Sequence, residues 1–141
     1  MFLAQQHRNE QSGKEGALLL ALAILKHENQ YLYDKIELVI VPQVNPDGSE
    51  LNQRRNGNDV DLNRNHLILT EPEVIAVHNL FNKFEFHVTL DVHEYFPFGE
   101  TWKNYGYRDN SSILYGINTN PEIDSNIRVF QKTENEKFIS N

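Results

Sequence analysis

Apolar and polar positions along the chain follow two rhythms. Residues 2–6 read as the end of a buried strand. In "SGKE", Ser12 is placed to cap a helix and Glu15 to reach back to it, a capping box. The dense apolar run from Ala17 to Leu25 then predicts a largely buried helix over 13–28. "KIELVIVPQVNPDG" predicts a second strand over 36–44, whose continuous apolar run suits a sheet covered on both faces. Pro42 lies near its end, where a missing N–H is tolerated. Asn45-Pro46-Asp47-Gly48 reads as a turn. Residues 45–70 are polar and without periodicity, a loop length that usually marks function or disorder. Thr70 and Glu73 form a second capping box, opening an amphipathic helix over 71–83 with Val74, Ile75, Val77, Leu80 and Phe81 on its apolar side. "FHVTLDVH", residues 86–93, predicts a third strand with Phe86, Val88, Leu90 and Val92 on one face and His87, Thr89, Asp91 and His93 on the other. An aromatic- and glycine-rich loop covers about 94–117, and Asn120-Pro121-Glu122 marks the start of a last helix over 121–137.

This order, β-α-β-loop-α-β-loop-α, predicts an α/β layered fold with a mainly parallel sheet. Neither an internal repeat nor a linker divides it. A fully buried strand at 36–44 needs neighbours on both sides, and three strands make a small sheet. The chain is therefore expected to be part of a larger single domain.

Composition narrows the function. The chain has 141 residues, 39% apolar and 23% charged, which suits one domain with a real core. A net charge of −7 argues against nucleic acid or an anionic membrane as partner. No apolar run reaches transmembrane length, and the first residues have no signal-peptide pattern. With no cysteine, any metal site must use nitrogen and oxygen donors.

In open α/β sheets functional groups gather beyond the carboxyl ends of the strands. His7 and Glu10 follow the first predicted strand, an Asn/Arg-rich loop follows the second, and His93 ends the third. Together His7, Glu10 and His93 make a His₂Glu set with one position left for water, the donor set of a catalytic zinc site. His27, His66, His78 and His87 are read as structural or exposed. Asp91 shares a strand face with His93, as a supporting or an exposed carboxylate.

The segment "NPDGSELNQRRNGNDVDLNRNH", residues 45–66, makes the pattern specific. His7-Arg8-Asn9-Glu10, Asn45-Pro46-Asp47-Gly48, Arg54, Asp61-Leu62-Asn63-Arg64-Asn65 and His93-Glu94-Tyr95 occur in one order. In order and spacing, from about residue 2 to 95, the chain resembles the zinc carboxypeptidase (metallocarboxypeptidase) family. The resemblance implies a three-layer carboxypeptidase-like, or phosphorylase/hydrolase-like, α/β fold, here incomplete. It implies one zinc ion held by His7, Glu10 and His93. It implies that Asn63 and Arg64 grip the C-terminal carboxylate of a peptide or protein substrate, a task suited to a planar guanidinium. Arg54 aligns with the arginine that stabilises the oxyanion, with Arg55 the alternative one position along. Arg8 stands where many bacterial relatives carry glycine.

The family also uses a glutamate general base far downstream, and nothing after His93 matches it. Glu94, Glu100 and Glu122 are the nearest carboxylates, and Glu94 is expected to point to the opposite strand face. The domain is thus expected to lack its N-terminal strands and the C-terminal part that holds the base. Unpaired sheet edges are expected to favour self-association. Family members are commonly secreted or periplasmic, and no leader is legible here. Two other readings stay open. One is a zinc amidohydrolase of the aspartoacylase or succinylglutamate desuccinylase type, which shares H-x-x-E, D-x-N-R and a strand-end His. The other is a noncatalytic module that binds peptide C-termini.

Overall fold

The computed structural model describes residues 1–51, 53–94, 99–106 and 121–140. The chain divides into two units, Met1–Tyr95 and Phe96–Asn141.

The first unit is built on three short parallel strands, β1 (Phe2–Ala4), β2 (Ile40–Val41) and β3 (Leu90–Val92), in the order β2-β1-β3. Phe2 lies opposite Ile40 and Leu90, and Ala4 opposite Val92. The middle strand is therefore β1, and the apolar run at 36–44 lies at an edge of the described sheet rather than at its centre. Two features shorten that run. Pro42 has no N–H, so the ladder breaks after Val41 and resumes with Val44 N–H to Ala4 O (3.2 Å) and Asn45 N–H to Gln5 O (3.1 Å). At its other end only Val39 bonds to β1, through Phe2 N–H to Val39 O (2.8 Å), and Ile36 and Leu38 stay exposed.

Helix α1 (Gln11–Ile24) starts two residues earlier than the Ser12 capping box predicts. Ser12 lies inside it, and Glu10 holds the N-cap position without a side-chain cap. The Ser12 N–H instead donates to Glu94 Oε1 at 2.6 Å, so a residue distant in sequence satisfies the first turn. At the other end Asn29 Nδ2 and Tyr33 Oη donate to the carbonyls of Ala23 and Ile24. A 3-10 helix, His27–Leu32, follows. Gly13 permits close packing, since a Cβ there would stand 3.3 Å from Val92 Cγ1 and 3.4 Å from Ala4 Cβ. Contrary to the expected burial, only Gly13 and Ala17 of this helix are buried, and Leu18, Leu19 and Leu22 are at least half exposed.

Asn45-Pro46-Asp47-Gly48 opens a helix rather than a turn. Asn45 Oδ1 accepts from Gly48 N–H (2.8 Å) and Pro46 begins α2 (Pro46–Leu51), where its missing N–H costs nothing. A 3-10 turn covers Leu62–Arg64. Helix α3 (Pro72–Phe84) also starts at proline, so Thr70 is not its cap. The Thr70 hydroxyl instead accepts from Asn65 Nδ2 (2.8 Å). Glu85, in the left-handed region at φ 47°, closes α3 through its N–H to Phe81 O. The core gathers Met1, Leu3, Val44, Leu62, Val74 and Val77, with Val41, Leu80 and Phe86 packed against it. Of the predicted apolar side of α3, Val74 and Val77 are buried, while Ile75 and Phe81 are exposed.

The second unit contains α4 (Glu100–Asn104) and α5 (Ser125–Ser140). The last helix begins later than Pro121 predicts, because Asp124 Oδ1 accepts from Asn126 N–H (2.8 Å) and sets the start. Most of the expected loop at 94–117, with Tyr95, lies outside the described residues.

Candidate metal centre

Adjacent parallel strands bring their carboxyl ends together. Past Ala4 the chain turns at Gln5, whose φ of 54° is unusual for a residue with a side chain. The Gln5 side chain steadies the turn, with Nε2 donating to Arg8 O (3.2 Å) and Gln11 Oε1 (3.0 Å). His7 and Glu10 sit on this turn, and Glu10 N–H bonds to His7 O. His93 follows Val92, the register partner of Ala4, so it emerges beside them.

The structure brings His7, Glu10 and His93 together, with one donor atom of each within 4.8 Å of the others. Glu10 Oε1 lies 2.8 Å from His7 Nδ1, and Glu10 Oε2 lies 2.8 Å from His93 Nδ1. The two rings stand 5.0 Å apart. His7 and Glu10 are each only 3% exposed. The far nitrogens reach further carboxylates: His7 Nε2 is 3.1 Å from Asp61 Oδ1, and His93 Nε2 is 3.0 Å from Asp91 Oδ2. A carboxylate behind each imidazole orients the ring and favours positive charge in front of it.

The electrostatics follow from that count of three carboxylates around two imidazoles. Burial pushes the Glu10 carboxyl up, but hydrogen bonds from His7 and His93 outweigh it and hold the group at about 2. Hydrogen bonds to Asp91 and Glu10 raise His93 to about 10, against the effect of burial. Asp61 and Asp91 are also lowered. Burial opposes the shift in both, and contacts with His7 and Arg54, and with His93, prevail. Two nitrogens and a carboxylate, buried or half-buried, converging and backed by carboxylates, fit a divalent zinc ion by donor chemistry and by net charge. Without a metal, the raised His93 pKa favours the protonated ring, which offsets that negative charge.

The arginine loop borders this cluster. Arg54 Nε donates to Asp61 Oδ2 (3.1 Å), so Asp61 joins Arg54 to His7. Arg55 turns to Asp59 instead. Asn63 lies against the cluster, with its N–H on Asp61 Oδ1 (3.1 Å) and its Nδ2 3.3 Å from His93 Nε2. Arg64 is exposed, and its Nη1 donates only to Asn63 O among the described residues. Behind the loop, buried Asn56 accepts from the N–H groups of Asn58 and Val60 and donates to Glu71 Oε2 (2.6 Å). Glu94 is held on α1 by Ser12. Glu100 and Glu122 belong to the second unit. Sequence reading assigned no role to Asp61, although it opens the Asp61-Leu62-Asn63-Arg64 motif. It also passed over Gln6, which has no motif signal.

The parallel sheet gathers at its strand ends a His₂Glu set that could hold a metal ion. The family model for zinc carboxypeptidases matches residues 1–138, and the chain belongs to that family. Carboxypeptidase 2 of Trichophyton rubrum is 32% identical over 127 residues, which cover 86% of this chain and 23% of the relative. Carboxypeptidase SOL1 of Arabidopsis thaliana is 30% identical over 109 residues, 65% of this chain and 22% of the relative. Carboxypeptidase D of Mus musculus is 28% identical over 142 residues, 86% of this chain and 10% of the relative. The chain thus spans about a quarter or less of the length of these curated relatives. No solved structure matches it.

Proposed function

We propose that this chain carries the zinc-binding and carboxylate-binding part of a metallocarboxypeptidase active site, which removes residues from the C-termini of peptides or proteins. The observation that supports it is the convergence of His7, Glu10 and His93 beside Asp61 and Arg54. In this reading His7 Nδ1, a Glu10 oxygen and His93 Nδ1 hold one zinc ion. Once bound, zinc supplies Lewis-acid polarisation and a water of lowered pKa. Asp61 and Asp91 keep the two rings turned so that Nδ1 faces inward. Asn63 and Arg64 bind the substrate's terminal carboxylate, for which the exposed guanidinium of Arg64 has donors to spare. Arg54 is favoured over Arg55 as the oxyanion-stabilising group, because Asp61 holds it next to His7 while Asp59 holds Arg55 aside. The chain forms one part of a three-layer α/β catalytic domain. A glutamate from another part of that domain serves as general base, since Glu94 caps α1.

The test is to load residues 1–141 with zinc, measure stoichiometry, and titrate peptides with free or amidated C-termini. One zinc per chain is expected, lost in His93→Ala. Free-acid peptides are expected to bind better than amides, and Arg64→Ala to abolish that difference. Absence of zinc binding, or equal binding of both peptide forms, overturns the reading. Within the complete protein, peptide against N-acyl amino acid hydrolysis separates it from an amidohydrolase.

A further inference from the structure

Two histidines read from sequence as structural or exposed lie at the end of a hydrogen-bonded chain that reaches His93. Gln6, 1% exposed, places Nε2 2.9 Å from both oxygens of Asp91. Its Oε1 lies 2.7 Å from His66 Nε2. His66 Nδ1 lies 3.0 Å from Nε2 of His78, on α3. Asp91 Oδ2 in turn faces His93 Nε2 at 3.0 Å.

The chemistry of each group sets the direction of the whole chain. The Asp91 carboxylate only accepts, so Gln6 must turn its NH₂ toward it. That leaves the Gln6 carbonyl facing His66, where it needs a donor, so the His66 proton sits on Nε2. Nδ1 of neutral His66 is then bare and accepts from His78 Nε2–H. Burial, and next the charge of His78, lower the His66 pKa, which agrees with a neutral ring. Each member thus has one orientation, and the last one holds Asp91 against His93.

We propose that His66 and His78, acting through Gln6, are positioning residues that lock Asp91 onto His93 Nε2 and so present His93 Nδ1 to the metal. The inference rests on the zinc-site reading above. Because His66 directly follows the Asp61–Asn65 motif, the same relay ties the arginine loop to the third ligand. A ligating imidazole depends on the partner of its other nitrogen, and loss of such partners typically lowers metal affinity 10–100-fold.

The experiment has two arms on the full chain. Long-range ¹H–¹⁵N correlation of the metal-free protein reads the tautomer of His66, with Nε2–H expected. Chelator competition reads zinc affinity in Gln6→Leu, His66→Phe and His66→Gln, alongside thermal unfolding of the metal-free forms. A loss of about tenfold is expected for the first two, the low end of such effects. His66→Gln, which keeps an N–H donor toward Gln6, is expected to recover most of it. A purely structural role would lower thermal stability and leave zinc affinity within twofold, and that result overturns the proposal. So does an Nδ1–H tautomer in the unmodified chain, which decides the matter if the variants fail to fold. A chain that shows the Nε2–H tautomer yet binds no zinc supports the relay geometry and sinks the zinc reading instead.

Discussion

At the scale of single residues, Glu10 and His93 make the metal-free chain respond to pH in a defined window. Glu10, held at about 2 against an ordinary 4.5, contributes stability that is complete above pH 4.5 and lost as pH falls toward 2. His93, raised to about 10 from 6.5, contributes stability that is complete below pH 6.5 and lost as pH rises toward 10. The pair therefore stabilises the metal-free form most between pH 4.5 and 6.5. A metal at this site needs the bare Nδ1 of His93, so binding must expel that proton. Apparent zinc affinity is expected to rise about tenfold per pH unit from pH 6 to 8, the slope for one released proton. Calorimetry in buffers of different ionisation enthalpy measures the proton count. A pH-independent affinity would show that His93 does not lose a proton to the metal.

At the scale of elements, the loop that carries Arg54, Asn63 and Arg64 is irregular and has no strand or long helix to hold it. Its rigidity rests on polar side chains. Asn56 bonds the backbone of Asn58 and Val60 and anchors the loop to Glu71, next to the start of α3. Replacing it by alanine leaves buried partners unsatisfied, and is expected to lower stability by about 2 kcal/mol. Gly48 is the second anchor. A Cβ there would lie 2.6 Å from the Asn45 side chain and 2.7 Å from Arg55 O. Gly48→Ala must displace either the cap of α2 or the arginine loop, at about 1–3 kcal/mol. Denaturant unfolding gives both numbers. Peptide titration of the same variants should show weakened preference for free over amidated C-termini, because Arg64 loses its placement. Unchanged preference in both variants would mean that the loop is held by other contacts.

At the scale of the whole molecule, apolar surface stays uncovered. Leu18, Leu19, Leu22 and Leu25 are 50–69% exposed on and just after α1. A separate apolar groove of about 330 Å³ lies along Val41, Val44, Ala76, Val77 and Leu80. Exposed apolar surface of this kind drives association, while the net charge of −7 opposes it only over screened distances. Residues 1–141 are expected to self-associate in sedimentation experiments at moderate salt. The double variant Leu22→Glu, Leu25→Glu is expected to shift the chain toward monomer. A monomer in the unmodified chain, at concentrations of tens of micromolar, would refute this. Among the described residues no helix is long and apolar enough to cross a membrane.

The grouping of the candidate residues was legible in the sequence, because each group is local in it. His7 and Glu10 lie on one turn, Asp61 to Asn65 on another, and His93 ends an alternating segment, so strand-end logic alone places them at one edge. The types of α1, α3 and the strands were legible for the same reason, since their apolar rhythms are short-range patterns, whereas the segment at 45–48, read as a turn, opens a helix. Boundaries were not. Ser12 and Thr70 look like caps, but Glu94 satisfies the start of α1 and Pro72 begins α3. The run at 36–44 looks central, yet β1 occupies the middle, since among the described residues it is the strand that pairs on both sides. Asp61 on His7, Arg54 rather than Arg55 on Asp61, and the chain from His78 to His93 include contacts between residues up to 85 positions apart. Residue types and spacings determined which groups could take part. Which nitrogen faces which oxygen depends on where the folded backbone puts them, and only the tertiary structure decided that.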